Sequence, residues 1–461
     1  MPEPVASEST MPEPAARGSA APEPAASEST GPGGGELLGG TREPGAGRVL
    51  PRRRDLLADV PAEADVVIVG GGLAGCALAY FLAAEGVEVA VLERAELNRE
   101  ASGTNAGSFH FQIAIHQLTG AGTDADRDRL LADVRLLSRA AAMWQDLEGE
   151  LQADLGVHVT GGLMIAETAD QLELLVAKQR IERDGGLETE VLSGPELRSF
   201  APYLADDLAG AGYCPAEGYA DPLLAAPAFA ARAVEAGAAV RTYAPVERIE
   251  RLEGAAAARF AVHHARGTLR CHRVVNAAGA WAYELARGNG FDLPLRAEGL
   301  HMNVTEPRAR LLGPLVQHIG RRLTLKQSSN GTFIIGGGWP ARPEVWPARY
   351  SVRWSSVAGN AAVARRVVPA LAGVRVVHTW AGVWAASNDL LPVVGESARL
   401  PGYFTCVVPT GFTLGPLMAS RLAGQMAGTA ATLPLEFSPD RVTAPARRVP
   451  GKVSRPEGVP S

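Results

Sequence analysis

The run ADVVIVGGGLAGCALAYFLAAEGVEVAVLER, residues 64–94, constrains this chain more than any other stretch. Val66 to Val69 is an apolar run too short for a helix and bounded by glycine, which reads as a buried parallel strand. Gly70, Gly72 and Gly75 follow in a G-x-G-x-x-G pattern. Gly70 makes the tight turn, Gly72 lets backbone approach a pyrophosphate, and Gly75 lets helix and strand pack closely. A helix is predicted over Leu73 to Ala84; its first residues, Leu73 and Ala74, present free N–H groups and the positive dipole end to the phosphates. A second strand, Val87 to Leu92, ends at Glu93, whose carboxylate can accept both hydroxyls of a ribose. Residues 66–84 carry no charge, which by itself reads as a membrane helix. The glycines and the terminal acid argue instead for a Rossmann-type dinucleotide unit.

At 461 residues the chain has room for two or three domains, and 46% hydrophobic with 20% charged residues fits a globular enzyme without a membrane span. A net charge of −6 gives no reason to expect nucleic acid. Cys76, Cys214, Cys271 and Cys406 are far apart with no C-x-x-C, so neither disulfides nor a metal site is expected, and they read as reduced and cytoplasmic. Residues 1–60 open with near-copies of a ten-residue Pro/Glu/Ala/Ser unit and read as a disordered tail. Arg52 to Arg54 lack the apolar segment of an export signal and read as solvated linker charge. Residues 437–461, rich in Pro and Arg from Thr443, read as a second tail.

After Glu93 and Arg94 comes LNREASGTNAG, residues 97–107. Ser102, Thr104 and Asn105 can donate to phosphate oxygens, and Gly107 lets backbone approach a flat ring. The order of fingerprint, Glu-Arg and an A-S-G-x-N-A-G segment resembles flavoproteins of the D-amino-acid oxidase, glycine oxidase and sarcosine oxidase type. In that family the segment, here including Ala106 and Ser108, carries FAD, and an NAD protein would not need it. The resemblance extends over residues 64–435. It implies an α/β fold: a Rossmann-type FAD-binding domain with an inserted α+β substrate domain built on a mixed antiparallel sheet. The FAD-binding parts are expected at residues 61–120, 215–290 and 378–436, and the substrate parts at 121–214 and 291–377.

Alternation over Phe109 to Ile113 predicts a strand with His110 and Gln112 on one face, lining the substrate pocket if it borders the flavin. Apolar spacing predicts a long amphipathic helix from Asp126 to about Leu155, then a strand over 157–167 and a charged helix over 170–183. Asp221-Pro222 reads as N-cap and N1 of a helix to about Gly237. Val246 is a position where the resemblance implies contact with adenine. Ala277, Ala278 and Gly279 form a small-residue turn beneath the pyrophosphate. Ser-Ser-Asn-Gly between residues 323–327 and 332–336 reads as a hairpin with positive φ at Asn330 and Gly331. It brings Lys326 and Gln327 to the floor of the active site, where Lys326 could bind a carboxylate or orient water.

Trp380-Ala381-Gly382-Val383 matches the family's closing strand, and Gly411, Phe412, Thr413 and Leu414 open a last helix. That helix start would set a positive dipole end beside the flavin and stabilise its reduced anion. Glycine oxidase and D-amino-acid oxidase relatives bring a substrate-binding arginine after that strand; here Trp384 stands in its place. Lys326, Arg321 or Arg322 then takes the carboxylate, or the substrate places a cationic or apolar group at Trp384. His301 and His318 are lone histidines without a visible partner, and no Cys or His matches a covalent flavin site, so FAD is expected to be non-covalent.

The resemblance implies FAD-dependent oxidation of the C–N bond of an amino acid or secondary amine by hydride transfer to flavin N5, the imine then being hydrolysed. The alternatives are a dehydrogenase of hydroxy acids on the same scaffold, and a non-catalytic FAD-binding subunit. NAGSFHFQ, residues 105–112, particularly resembles the flavin subunits of opine oxidases and hydrogen cyanide synthase, which implies a partner subunit or a homo-oligomer.

Overall fold

Two sheets organise the chain in its computed structural model, which describes residue 47 and residues 49–57, 60–118, 123–254, 259–344 and 349–441. The first has the strand order Val246–Arg251, Phe260–His264, Gly267–Asn276, Glu63–Val69, Val89–Leu92, Ala239–Arg241, with Tyr403–Val407 joining beside the end of Gly267–Asn276 and Val393–Glu396 outside it. Glu63–Val69 runs parallel to both neighbours, with Val69 opposite Asn276 on one side and Leu92 on the other. Three strands therefore stop level with one another, and the turns at Gly70, Glu93 and Ala277 open side by side at their carboxyl ends. That edge is where a parallel sheet binds ligands.

The helix after the first turn spans Leu73–Ala84, as the sequence predicts. It packs against the sheet and against two other helices, Ala225–Glu235 and Gly411–Ala427. This explains its charge-free sequence: Leu73, Cys76, Leu78, Leu82 and their neighbours are buried on every side, so no face needs polar residues. Among the described residues no helix is long and apolar enough to cross a membrane.

The second sheet has the order Val376–Ser387, Leu295–Pro307, Thr332–Gly336, Thr324–Gln327, Leu315–His318, Gly162–Ala166, Gly210–Cys214, Glu190–Ser193. It is antiparallel except where Leu315–His318 runs parallel to Gly162–Ala166. One of its faces carries a core of Leu163, Ile165, Leu325, Phe333 and Ile335 beneath the helices Gly194–Phe200 and Trp354–Val367. The long amphipathic helix is Asp124–Leu151, started by a capping box in which Thr123 Oγ1 accepts from Asp126 N. Such a cap is worth about 1 kcal/mol.

Several expectations are corrected here. Strand Val376–Ser387 pairs along its length with Leu295–Pro307, so residues 378–387 belong to the second sheet and not to the FAD-binding part. Within the expected N-terminal tail, Arg53–Leu57 is a helix, and Leu56 O accepts from Thr242 N and Oγ1 at 3.0 Å each; this edge caps the first sheet. The rest of that tail to residue 46, and residues 442–461 of the other, lie outside the described residues. Phe437 is buried, and Arg441 grips Asp389 with both 2.8 Å arms of its guanidinium, so residues 437–441 are part of the folded body.

Asp221 is not an N-cap. Its side chain accepts from Leu223 N in a turn, and the helix begins at Ala225, because the Asx turn satisfies the carboxylate before any helical N–H can. The hairpin turn holds positive φ at Gly331 but not at Asn330. Asn330 Oδ1 accepts from Thr332 N and Oγ1 instead, in a type I turn closed by the glycine. The strand expected over Phe109–Ile113 is only Ser108–Phe109, paired with Gly218–Tyr219.

Candidate active site

A cavity of about 660 Å³ opens at the carboxyl ends of the parallel strands and runs to the start of the last helix. That is the size range of cofactor sites. Gly70 makes the turn with φ +118°, and a Cβ there would stand 2.5 Å from Ala277 O. Gly75 lies behind the turn, its missing Cβ leaving room for the Gly70 carbonyl and Ala277. Gly72, Leu73 and Ala74 line the cavity, and no side chain caps this helix from its N-cap Gly72. Ser102 Oγ accepts from Leu73 N at 2.9 Å, leaving its own hydroxyl proton free to donate.

At one end Glu93 and Arg94 line the cavity with Val246 and Trp281. Glu93 accepts from Gly71 N at 2.7 Å and Ala95 N at 2.8 Å, one bond per oxygen, which fixes the carboxylate and leaves lone pairs for a ribose. The Arg94 guanidinium stacks 3.6 Å above the Trp281 ring. Ala277, Ala278 and Gly279 form the adjoining wall.

The other end is walled by Asn105, Ala106, Ser108, His110, Trp384 and the helix start Gly411–Thr413. That start also has no side-chain cap. Trp144 Nε1 donates to Thr413 O at 3.0 Å, and His110 N donates to Thr413 Oγ1 at 3.3 Å, so the helix end is fixed against the segment that carries His110. Trp384 Nε1 donates to Pro409 O at 2.6 Å. Burial, and next the charge of Lys326, push His110 down to about 4, leaving a neutral imidazole at neutral pH.

Other candidates lie outside the cavity or have their side chains engaged locally. Thr104 Oγ1 donates to Glu100 O, and Asn105 Nδ2 donates to Ala101 O and Ser102 O, so both are spent on their own helical turn and not on phosphate. Gly107 and Gly382 do not line the cavity. The missing Cβ of Gly107 makes room for Ala220 O and Lys326 Nζ, and that of Gly382 for Thr104 Oγ1 at 2.6 Å. Leu414 is turned into the core.

Gln112 is corrected outright: it is buried away from the cavity. Its Nε2 donates to Glu217 Oε2 at 3.2 Å and its Oε1 accepts from Lys178 Nζ at 2.9 Å. Gln327 clamps the 308–312 loop, donating to Arg308 O and Ala309 O and accepting from Leu311 N and Leu312 N. Arg321 pairs with Glu167, Arg322 donates to Gly338 O, and His318 Nδ1 accepts from Gly320 N and Arg321 N. His301 is buried in the second sheet.

Lys326 sits behind Gly107, buried, with Nζ 4.3 Å from the centre of the Tyr219 ring and no ion pair among the described residues. Burial pulls its ammonium down to about 7, with Asp221 opposing. Sequence reasoning missed Glu217, a fully buried carboxylate. Its Oε1 accepts from Phe111 N at 2.8 Å and Gln112 N at 3.0 Å, holding the chain that carries His110. Burial raises it to about 7. The ion pair Lys178–Glu182, 2.7 Å and buried, continues the network, with Glu182 accepting from Ile113 N. A Lys–Glu pair four apart on a charged helix gives no sequence sign of burial.

Residues 65–425 match the family DAO, FAD dependent oxidoreductase. The chain belongs to this family. It is an oxidoreductase, and its cofactor is FAD. It is 30% identical over 382 residues to mouse mitochondrial sarcosine dehydrogenase, covering 79% of this chain but 39% of that protein. To an opine oxidase subunit from Rhizobium meliloti it is 29% identical over 374 residues, covering 79% of this chain and 94% of the relative. The solved structure of glycine oxidase from Geobacillus kaustophilus superposes with TM-score 0.69 at 25% identity, covering 83% of this chain and 100% of that one.

The residues present fit FAD. Two helix N-termini, one bonded by a side chain only at Leu73 N and the other uncapped, converge on one cavity, and Trp281 Nε1 and His110 Nδ1, on two of its walls, are buried without a hydrogen-bond partner among the described residues. Buried polar atoms left over in this way are what a bound polar group satisfies. Gly70 to Ala74 with Ala277 to Gly279 would hold the pyrophosphate, Glu93 the ribose, and Gly411 to Thr413 the flavin's electron-rich edge.

Proposed function

We propose that this flavoprotein oxidises the C–N bond of an amino acid or a secondary amine, as the names of its sarcosine dehydrogenase, opine oxidase and glycine oxidase relatives indicate for those proteins. The observation that carries the reading is the sign of the field at the far end of the cavity. There the helix start Gly411–Thr413 points free N–H groups inward, Lys326 lies close behind Gly107, and none of the residues walling that end is acidic. A positive surrounding favours the neutral over the protonated amine, and only the neutral amine can release electrons from its α-carbon. FAD, when bound, supplies the two-electron acceptor for that carbon's hydride. The chain's own part is to hold the amine deprotonated and to wall the site with Trp384 and the neutral imidazole of His110. Lys326 is the cation available to a substrate carboxylate.

Mixing the holoenzyme anaerobically with amines and with hydroxy acids, while following the oxidised flavin's visible absorbance, tests this. Bleaching by amines alone supports it. Bleaching by hydroxy acids alone makes the protein a C–O dehydrogenase, and bleaching by neither makes it a non-catalytic FAD-binding subunit. The likeness to a protein named as a subunit supports assembly with a partner chain, which gel filtration of the native protein tests.

A further inference from the structure

Strand Leu295–Pro307 inverts the usual arrangement of a half-covered strand. An antiparallel strand with one face on the core places apolar residues inward and polar residues outward. Between residues 299 and 305 the covered face carries Gly299, His301, Asn303 and Thr305, all buried; Asn303 Nδ2 donates to Asn360 Oδ1 at 3.1 Å under the helix Trp354–Val367. Leu300, Met302 and Val304 point the other way and are only half-buried. The strand register continues that face. Met302 stands opposite Trp380, and Val304 opposite Ile334, which stands opposite Lys326. Leu300, Met302, Val304, Ile334 and Trp380 thus make one apolar strip across three strands, with Lys326 at one border.

The strip adjoins the cofactor site. Trp380 Nε1 donates to Thr104 O at 2.8 Å, Gly382 packs under Thr104 Oγ1, and Lys326 Nζ lies 3.3 Å from where a Gly107 Cβ would stand. Thr104 and Gly107 belong to the segment whose other residues, Asn105, Ala106 and Ser108, wall the cavity. Single exposed apolar residues need no explanation, but a contiguous apolar surface bordering a site does. Apart from Lys326 and the exposed His378, which stands opposite Val304 and stacks on Trp380 at the strip's outer end, the strip itself offers no ionisable side chain to a substrate.

Resting on the reading that amines are oxidised here, we infer that the preferred substrate is an amino acid or N-alkyl amino acid with a large apolar side group. The group lies along the Met302–Val304–Ile334–Trp380 strip, and the carboxylate sits at Lys326. Glycine, sarcosine and substrates with charged side groups leave the strip unfilled or place charge on it.

The holoenzyme is mixed anaerobically with glycine, sarcosine and arginine, and with leucine, phenylalanine and their N-methyl forms, both enantiomers where they exist. The second-order constant of flavin reduction is read for each. The apolar members should exceed the small and charged ones by at least about tenfold, the discrimination a hydrophobic pocket gives per missing group. In Met302→Gln the ratio should fall severalfold while the flavin stays bound. Small or charged amines reducing the flavin as fast as apolar ones would overturn this inference alone; no reduction by any amine would overturn the amine reading as well. If Met302→Gln does not fold, the wild-type series decides by itself.

Discussion

Replacing Gly75 by alanine sets two effects of known size against each other. In the interior of a helix, alanine is favoured over glycine by about 0.8–1.0 kcal/mol. Gly75 is the third residue of helix Leu73–Ala84, so the gain would be at most that much if nothing stood in the way. Something does: the new Cβ would fall inside the contact distance of the Gly70 carbonyl oxygen and 3.5 Å from Ala277 Cβ. The Gly70 turn has nowhere to retreat, because its N–H is bonded to Leu92 O at 2.9 Å and its own open side lies against Ala277 O. Overpacking of this kind costs about 1–3 kcal/mol, so the apoprotein should melt at or below the wild-type temperature despite the better helix former. The larger effect falls on the cofactor. The backbone that must shift is the backbone expected to hold the pyrophosphate, and losing one hydrogen bond to a charged group weakens binding by up to about a hundredfold. At a fixed excess of FAD, that loss removes up to about 2.7 kcal/mol of ligand stabilisation. Titrating apoprotein with FAD by flavin fluorescence, and melting it with and without FAD, reads both quantities. Gly149→Ala is the control: Gly149 is an exposed helical residue with no atom within 4 Å of a new Cβ, so it should gain stability and bind FAD as wild type does. A Gly75→Ala protein that also gains stability and keeps its FAD affinity would refute the reasoning.

Four further outcomes follow from individual residues. Burial lowers Lys326 to about 7, so between that pH and the ordinary lysine range the unfolded chain holds a proton that the folded one lacks. Stability attributable to Lys326 therefore rises with pH through that window and is flat below it, and Lys326→Met should remove the slope in denaturant titrations. Binding of a carboxylate inhibitor should tighten as pH falls through about 7, an effect lost in Lys326→Met and retained in Glu217→Gln, although Glu217 is also held at about 7. Glu217→Leu orphans the N–H groups of Phe111 and Gln112, at about 1–3 kcal/mol each. Glu217→Gln, which keeps the accepting oxygen, should lose much less, as thermal melts would report. Cys406 lines the cavity, but burial pushes its thiol up to about 12, which makes it a poor nucleophile. Acid precipitation should accordingly leave all the flavin in the supernatant.

What could be read from the sequence was what is local. The fingerprint strand, the helix Leu73–Ala84 and the last helix from Gly411 were legible because turn chemistry, apolar run length and helix-start signals sit within a few residues of one another. Gln112 was misplaced because five alternating residues look the same whether they form a strand at a pocket or an irregular segment. What decides is Glu217, which lies far along the chain and gives its hydrogen bonds only after the fold closes. The charged helix over 170–183 hid its buried pair Lys178–Glu182 in the same way, since a charge pattern does not show the elements that cover it.

Lys326 is the instructive intermediate case. Its place on a strand was legible from the hairpin, and its burial was not, because that depends on Tyr219, Gly107 and Asp221 arriving from another part of the chain. The same arrival gives the residue its chemistry. A lysine on an open strand face is a solvated cation with no preference for any ligand. Behind a glycine and an aromatic ring, its charge costs free energy that a bound carboxylate would repay. Gly107→Ala should accordingly act through Lys326: the new methyl would press on Nζ at 3.3 Å and on Ala220 O, at a residue whose φ of +69° already disfavours a side chain. Carboxylate affinity should fall in that variant in the Lys326→Met background much less than in wild type. Equal losses in both backgrounds would mean that Gly107 serves only the fold.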